Sequence, residues 1–295
     1  MLLLCYLSYK ITSSSILDAM HELQLSHPSL IGLVVMLMVI NWGLETKKWQ
    51  VLLKNVQKLS FFDSFKSVLA GLSSGLLTPN RIGNFIGRLA FIKKKNHNRA
   101  IVNTLVGNLA QFISTLLMGG IGFFSLMSFK LNVPNSTWIV LFSVIFSAIG
   151  CYIYFKPKVL NFYPLNKLFS DKTKSSIQNI NDSNSNFKIK ILGLSMMRYF
   201  VFSIQYLLVF KAFGLQLPVD VMLSLIATVF LITTVIPSLL FGKLFVRESV
   251  AVFIFSLAEI DVSLILVVAF LLWVINLVIP AVIGSFFWLK QKQYA

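Results

Sequence analysis

The sequence predicts an all-α, polytopic membrane protein of about six to eight membrane segments, arranged as two inverted halves with two proline-broken re-entrant hairpins. Three observations predict it. The 295-residue chain is 57% hydrophobic with a mean hydropathy of +0.81, more apolar surface than the polar residues of a soluble protein could cover. Its apolar runs are long enough to cross ~30 Å of hydrocarbon as helices. Its charge, 26 Lys plus Arg against 10 Asp plus Glu, lies mostly between those runs, as expected if basic segments stay in the cytoplasm. A net charge of +16 on a soluble domain would point to nucleic acid. Between membrane segments it points to orientation and to anionic headgroups, so no nucleic-acid partner is expected.

Residues 1–10 are too short for a span and lack a signal-peptide pattern, so they read as a stub or as the end of a span beginning upstream. The first full span is 28–46. Asp18 and Glu22 precede it and Lys47, Lys48, Lys54, Lys58 and Lys66 follow it, which puts its far end in the cytoplasm. Residues 100–127 cross outward after the basic patch Lys93, Lys94, Lys95 and Arg99, and 138–155 return. The stretch 156–190 holds seven lysines and "SSIQNINDSNSN", a cytoplasmic linker between half one (28–155) and half two (191–289). Residues 191–213 cross outward and 263–289 return to a basic, cytoplasmic C-terminus. The expected location is the cell membrane.

Two regions must enter and leave on one side if the charge rule holds. Residues 67–92 lie between cytoplasmic basic patches, and 221–258 lie between Asp220 and the pair Glu259 and Asp261, all outside. Each is broken by a proline, Pro79 in "LLTPNRIGNFIGR" and Pro237 in "TVIPSLLFGKLFVR". Each follows its Pro with a small polar residue, a Gly and an Arg nine or ten positions on. Interrupted segments in corresponding positions of two halves point to a midplane binding site. Backbone broken at that depth needs protein or water around it.

The lipid-binding candidates are Pro79, Asn80, Arg81, Gly83, Asn84 and Arg88 at the first break, and Pro237, Lys243, Arg247 and Glu248 at the second. Arg81 and Arg88 are seven apart and share a helix face. Either they bind an anionic headgroup phosphate, or they snorkel to inner-leaflet phosphates from a shallow hairpin. Glu248 reads as an ion-pair partner or as an ion carrier. Arg198, Gln205, Asn108, Gln111 and Asn276 are secondary candidates, singly more suited to holding helices together, and Arg198 is near enough to the cytoplasmic end to snorkel. Gly119, Gly120 and Gly122 suggest close helix packing. Trp42, Trp49, Trp138 and Trp288 suggest interfacial belts. His21, His27 and His97 lack metal-ligand spacing, and no P-loop or nucleophile elbow is present. The expectation is a non-enzyme without metal or cofactor.

At "TPNRIGNFIGR" and "IPSLLFGKLFVRESVAVFIF", and again at "LLWVINLVIPAVIGSFFWL", the chain resembles the flippase-like membrane region of lysylphosphatidylglycerol synthases, over about residues 28–289. The resemblance implies two inverted halves with re-entrant helices and the movement of lipid between leaflets. Pro79, Arg81, Gly83, Arg88, Pro237 and Arg247 match its motifs. Asn84 and Lys243 stand where relatives carry a Glu, which implies a more cationic site suited to an anionic lipid. The synthase domain is absent from the stretch, so aminoacyl transfer is not implied. The expected partner is an anionic membrane lipid. The alternatives are an accessory protein binding lipid or a partner enzyme and, last, a membrane-embedded transferase.

Overall fold

The computed structural model describes residues 24–78, 82–127, 137–156, 185–236 and 242–292. Among these residues the chain forms ten α-helices and no strand. They are α1 (Ser29–Leu53), α2 (Phe61–Leu76), α3 (Gly83–Leu89), α4 (His97–Ser125), α5 (Thr137–Phe155), α6 (Ser185–Ala212), α7 (Val219–Val235), α8 (Gly242–Ser256), α9 (Val262–Trp273) and α10 (Ile279–Lys292). A 3-10 turn at Lys94–Asn96 leads into α4, and a π-helical turn at Val274–Val278 joins α9 to α10. Pro280 follows that turn and has no amide hydrogen for the carbonyl four residues back, which favours the wider winding before it.

Among the described residues, four helical segments are long and apolar enough to cross a membrane: Ser29–Leu53, Lys94–Ser125, Ser185–Ala212 and Val262–Gln291. Helix α5 coincides with the span predicted at 138–155. Large apolar side chains such as Met36, Val39, Ile121 and Phe286 stay exposed, as a lipid-facing surface requires. Helix ends fall where local chemistry sets them. Ser60 caps α2 by accepting from the Asp63 amide at 3.0 Å, and Asp261 caps α9 from Ser263 and Leu264 at 2.8 and 3.2 Å. Gly214, at φ +82°, takes the left-handed conformation that ends α6.

Both predicted hairpin regions are pairs of packed helices, α2 with α3 and α7 with α8. The break between α2 and α3 is held by hydroxyls. Thr78 donates to the Ser74 carbonyl at 3.1 Å and accepts from the Gly83 amide at 2.7 Å. The Ser74 hydroxyl lies 2.6 Å from the Gly83 carbonyl. A Cβ at Gly83 would overlap the Ser74 carbonyl, and one at Gly87 would overlap the Ala70 carbonyl and the Ser74 hydroxyl. These two glycines are the condition for α3 lying on α2.

Contacts divide the chain into two compact units. The first comprises the described residues of Met1–Ile40, Met118–Val140 and Phe200–Ile279. In it Gly119 and Gly122 of α4 meet α7 at Leu231 and Ala227, the close packing that the glycine cluster predicted. Tyr206, Phe210 and Phe255 stack in its core, with the Tyr206 and Phe255 ring centres 5.7 Å apart. The second unit comprises the described residues of Asn41–Leu117, Leu141–Tyr199 and Pro280–Ala295. There Gly284 of α10 abuts the Leu69 carbonyl, and Phe62 meets Phe287 edge-on at 6.3 Å.

Two boundaries differ from expectation. Helix α1 runs to Leu53 instead of stopping at 46, because Lys47 is exposed while Lys48 is buried inside the second unit. Helix α6 begins at Ser185, within the stretch expected to be linker. Its start is tied to the end of α5, with the Tyr154 hydroxyl donating to the Lys188 carbonyl at 2.8 Å and Lys188 Nζ donating to the Phe155 carbonyl at 2.7 Å. The expected stub at 1–10 and most of the linker lie outside the described residues.

Candidate functional site: one carboxylate among three buried cations

The second unit buries three charged side chains around Glu45. Lys48, one turn further along α1, reaches Glu45 Oε2 at 2.8 Å. Arg88 of α3 donates through Nη2 to Oε1 at 2.7 Å. Arg198 of α6 donates through Nη1 to Oε2. Three cations therefore converge on one carboxylate, and each of the four side chains is at least nine-tenths buried.

A second layer of groups aims the cations. Arg88 Nε donates to Asn84 Oδ1 at 2.9 Å, one turn earlier on α3. Arg198 Nε donates to Asn41 Oδ1 at 2.9 Å, one turn before Glu45 on α1. Gln111 of α4 donates to the Ser195 carbonyl at 3.3 Å and turns its Oε1 toward Arg198 Nη1 at 3.5 Å. The guanidinium of Arg88 lies over the Trp49 ring at 5.0 Å and that of Arg198 over Trp42 at 5.8 Å, a geometry that favours a cation on an aromatic face. Trp49 Nε1 donates to Ser67 Oγ at 3.1 Å, and the Ser67 hydroxyl donates to the Arg88 carbonyl at 3.1 Å. The register of α3 on α2 thus fixes where Arg88 points.

Taking charges out of water costs several kcal/mol per ion unless partners offset it. Glu45 offsets one of the three cations fully, so the cluster carries a surplus of two positive charges in a buried setting. Next to it, Asn41 Nδ2, Trp42 Nε1 and Ser195 Oγ are buried with no hydrogen-bond partner among the described residues. Two of these atoms can only donate, and the third can. Surplus positive charge beside unused donors is the electrostatic and hydrogen-bonding complement of an oxyanion. Among the described residues, no group of three or more His, Cys, Asp or Glu side chains could hold a metal ion.

Of the sequence candidates, Asn84, Arg88, Gln111 and Arg198 come together here. Arg88 and Arg198 do not snorkel: both side chains turn inward to Glu45 and are buried. Trp42 and Trp49 are not belt residues, since both are buried under the arginines, whereas Trp138 is exposed. Asn108 is exposed and takes no part in the cluster. Gly83 serves the α2–α3 packing. Gln205 and Asn276 belong to the other unit, where Gln205 donates to the Val34 carbonyl at 2.9 Å and Asn276 to the Leu272 carbonyl at 3.2 Å. Arg247 and Glu248, half-buried on α8, act electrostatically on each other and on Tyr206. Lys243 is described by its backbone alone, and Pro79, Asn80, Arg81 and Pro237 lie outside the described residues. Sequence reasoning missed Glu45, Lys48 and Asn41. Their spacing was the available signal: Asn41, Glu45 and Lys48 recur at helical intervals on one face of an otherwise apolar segment.

Long apolar helices, helical hairpins closed by glycine and hydroxyl contacts, and a buried ionic cluster define a multi-pass α-helical membrane protein. The chain belongs to the lysylphosphatidylglycerol synthase TM region family, whose model matches residues 1–284. That family relates it to lipid handling in the membrane. No curated protein and no solved structure matches the chain.

Proposed function

We propose that this protein is a flippase-like lipid transporter, not an enzyme, which takes an anionic phospholipid headgroup at the cationic cluster around Glu45. The observation that carries the reading is the surplus of two buried positive charges beside three unpartnered donors. Family membership supplies the lipid context. The headgroup phosphate would take bonds from Arg88 and Arg198, whose guanidinium forks match its oxygens, with Lys48 as a point charge. Pro79, Asn80, Arg81, Pro237, Lys243 and Arg247 remain sequence candidates for contact with the headgroup. By the charge rule the protein sits in the cell membrane with its basic segments and C-terminus cytoplasmic.

The test is leaflet exchange in proteoliposomes carrying fluorescent phosphatidylglycerol, phosphatidylcholine or a polyprenyl phosphate. Phosphatidylglycerol should exchange faster than in empty vesicles and faster than phosphatidylcholine. Arg198→Gln should slow it by roughly tenfold or more, as expected for losing a hydrogen bond to a charged group worth about 1.5–3 kcal/mol. Exchange equal to empty vesicles for all three lipids overturns transport. Lipid that still co-purifies in native mass spectrometry would then leave the accessory, lipid-binding role.

A further inference from the structure

We infer that Glu45 is a built-in counter-ion, occupying the anion site until a phosphate-bearing group displaces it. This rests on the proposed function and assigns the residue that keeps the site closed in the unloaded protein. A purely structural ion pair balances its charges and satisfies its donors. The Glu45 cluster does neither, because one carboxylate faces three cations while Asn41 Nδ2, Trp42 Nε1 and Ser195 Oγ go unused. Both carboxylate oxygens are engaged, Oε1 by Arg88 and Oε2 by Lys48 and Arg198, so the Glu45 carboxylate holds the positions an incoming oxyanion would take.

The ligand class follows from the count of donors. A second carboxylate would supply two acceptor oxygens to Arg88, Arg198 and Lys48. A phosphodiester supplies two charged oxygens, enough to replace both Glu45 oxygens, and two ester oxygens besides as further acceptors for unpartnered donors near Arg198. Displacement leaves the cations in place, since Asn84 and Asn41 hold the two Nε atoms independently of Glu45. Glu45 is therefore a positioning and gating residue. Its side chain has rotatable bonds enough to withdraw, whereas the arginines are pinned over Trp49 and Trp42.

The experiment uses the full chain purified in detergent, as wild type, Glu45→Gln, Glu45→Asp and the double variant Glu45→Gln/Lys48→Met. The double variant removes the carboxylate while keeping the surplus charge of wild type, so it keeps the test decisive if Glu45→Gln does not fold. The probes are dioleoylphosphatidylglycerol, dioleoylphosphatidylcholine and inorganic phosphate. The readouts are binding by native mass spectrometry and the midpoint of thermal unfolding. With the competing carboxylate gone, the folded variant should bind phosphatidylglycerol roughly tenfold more tightly than wild type, a change of about 1.4 kcal/mol. Its lowered unfolding midpoint should be restored by phosphatidylglycerol and not by phosphatidylcholine. Glu45→Asp should behave as wild type. Equal restoration by inorganic phosphate would identify the free anion as occupant, and restoration by the lipid alone would identify the headgroup. Binding no tighter than wild type in Glu45→Gln and in the double variant, with no restoration by either anion, overturns the counter-ion role. Wild type that binds neither anion would instead sink the proposed function.

Discussion

Replacing Gly87 by Ala tests whether the hairpin contact aims the ionic cluster. In a bare helix the change stabilises, because Ala loses less backbone freedom than Gly, by about 0.5–1 kcal/mol. Gly43 on α1 measures that gain, since a Cβ there meets nothing within 4 Å. At Gly87 the same methyl overlaps the Ala70 carbonyl and the Ser74 hydroxyl on α2. Ser74 can rotate, but the Ala70 backbone cannot, so α3 must move. Overpacking of this kind costs about 1–3 kcal/mol. The adjacent residue is Arg88, whose carbonyl is held by Ser67 and whose guanidinium is held by Glu45 and Asn84. Displacing α3 weakens those bonds, worth about another 1.5–3 kcal/mol where a charged partner is involved. Gly87→Ala should therefore be less stable than wild type by roughly 1.5–5.5 kcal/mol after the propensity gain, while Gly43→Ala should be unchanged or up to about 1 kcal/mol more stable. Equilibrium unfolding in detergent micelles, followed by circular dichroism, reads both. A Gly87→Ala protein as stable as Gly43→Ala would refute the packing of α3 on α2 and, with it, the route by which Arg88 reaches Glu45.

Two further substitutions separate buried from exposed charge. Arg198→Met should destabilise the protein by about 2–4 kcal/mol in the same unfolding assay, because it strips a buried partner from Glu45 and orphans Asn41 Oδ1. Lys66→Met, which breaks an exposed pair with Asp63 at 3.6 Å, should cost less than about 1 kcal/mol. Asn84→Glu would put a second carboxylate against Arg88, cutting the surplus charge from two to one, and should weaken capture of phosphatidylglycerol in native mass spectrometry by roughly tenfold or more.

The polytopic helical fold was legible in the sequence because its signals are long and redundant: apolar runs, prolines at 79 and 237, and charge gathered between spans. The hairpin regions were legible as interrupted apolar runs, each of which folds into a pair of packed helices. The site was only half legible. Arg88, Asn84, Arg198 and Gln111 were singled out as polar residues in apolar surroundings, but their convergence is a property of tertiary packing. Glu45 was passed over because Lys47 and Lys48 follow it, and two adjacent lysines read as the solvated end of a span. That rule counts charges and is blind to direction. On a helix, neighbouring residues differ by about 100° in facing, so Lys47 lies exposed while Lys48 turns inward to Glu45. The tryptophans misled for a related reason. An indole at a span end suits an interface, but it suits a guanidinium equally well, and Trp42 and Trp49 each lie beneath one.

The substitution of Asn for the acid expected at position 84 takes on a different meaning in this arrangement. Asn84 accepts a hydrogen bond from Arg88 Nε without adding charge, and so orients the guanidinium and leaves its Nη2 for Glu45, a residue 43 positions away on another helix. An acid at 84 sits one turn from Arg88 on the short helix α3 and must stay with it. An acid on α1 is carried by a different backbone, and its distance to Arg88 changes whenever α3 shifts on α2. Placing the counter-charge on a facing helix makes the Arg88–Glu45 pair a property of tertiary packing, where an acid at 84 would make it local to α3. The glycine and hydroxyl contacts at Gly83, Gly87, Ser74 and Thr78 hold α3 against α2. The ionic cluster and the hairpin are linked in this way: the packing of α3 on α2 sets where Arg88 meets Glu45.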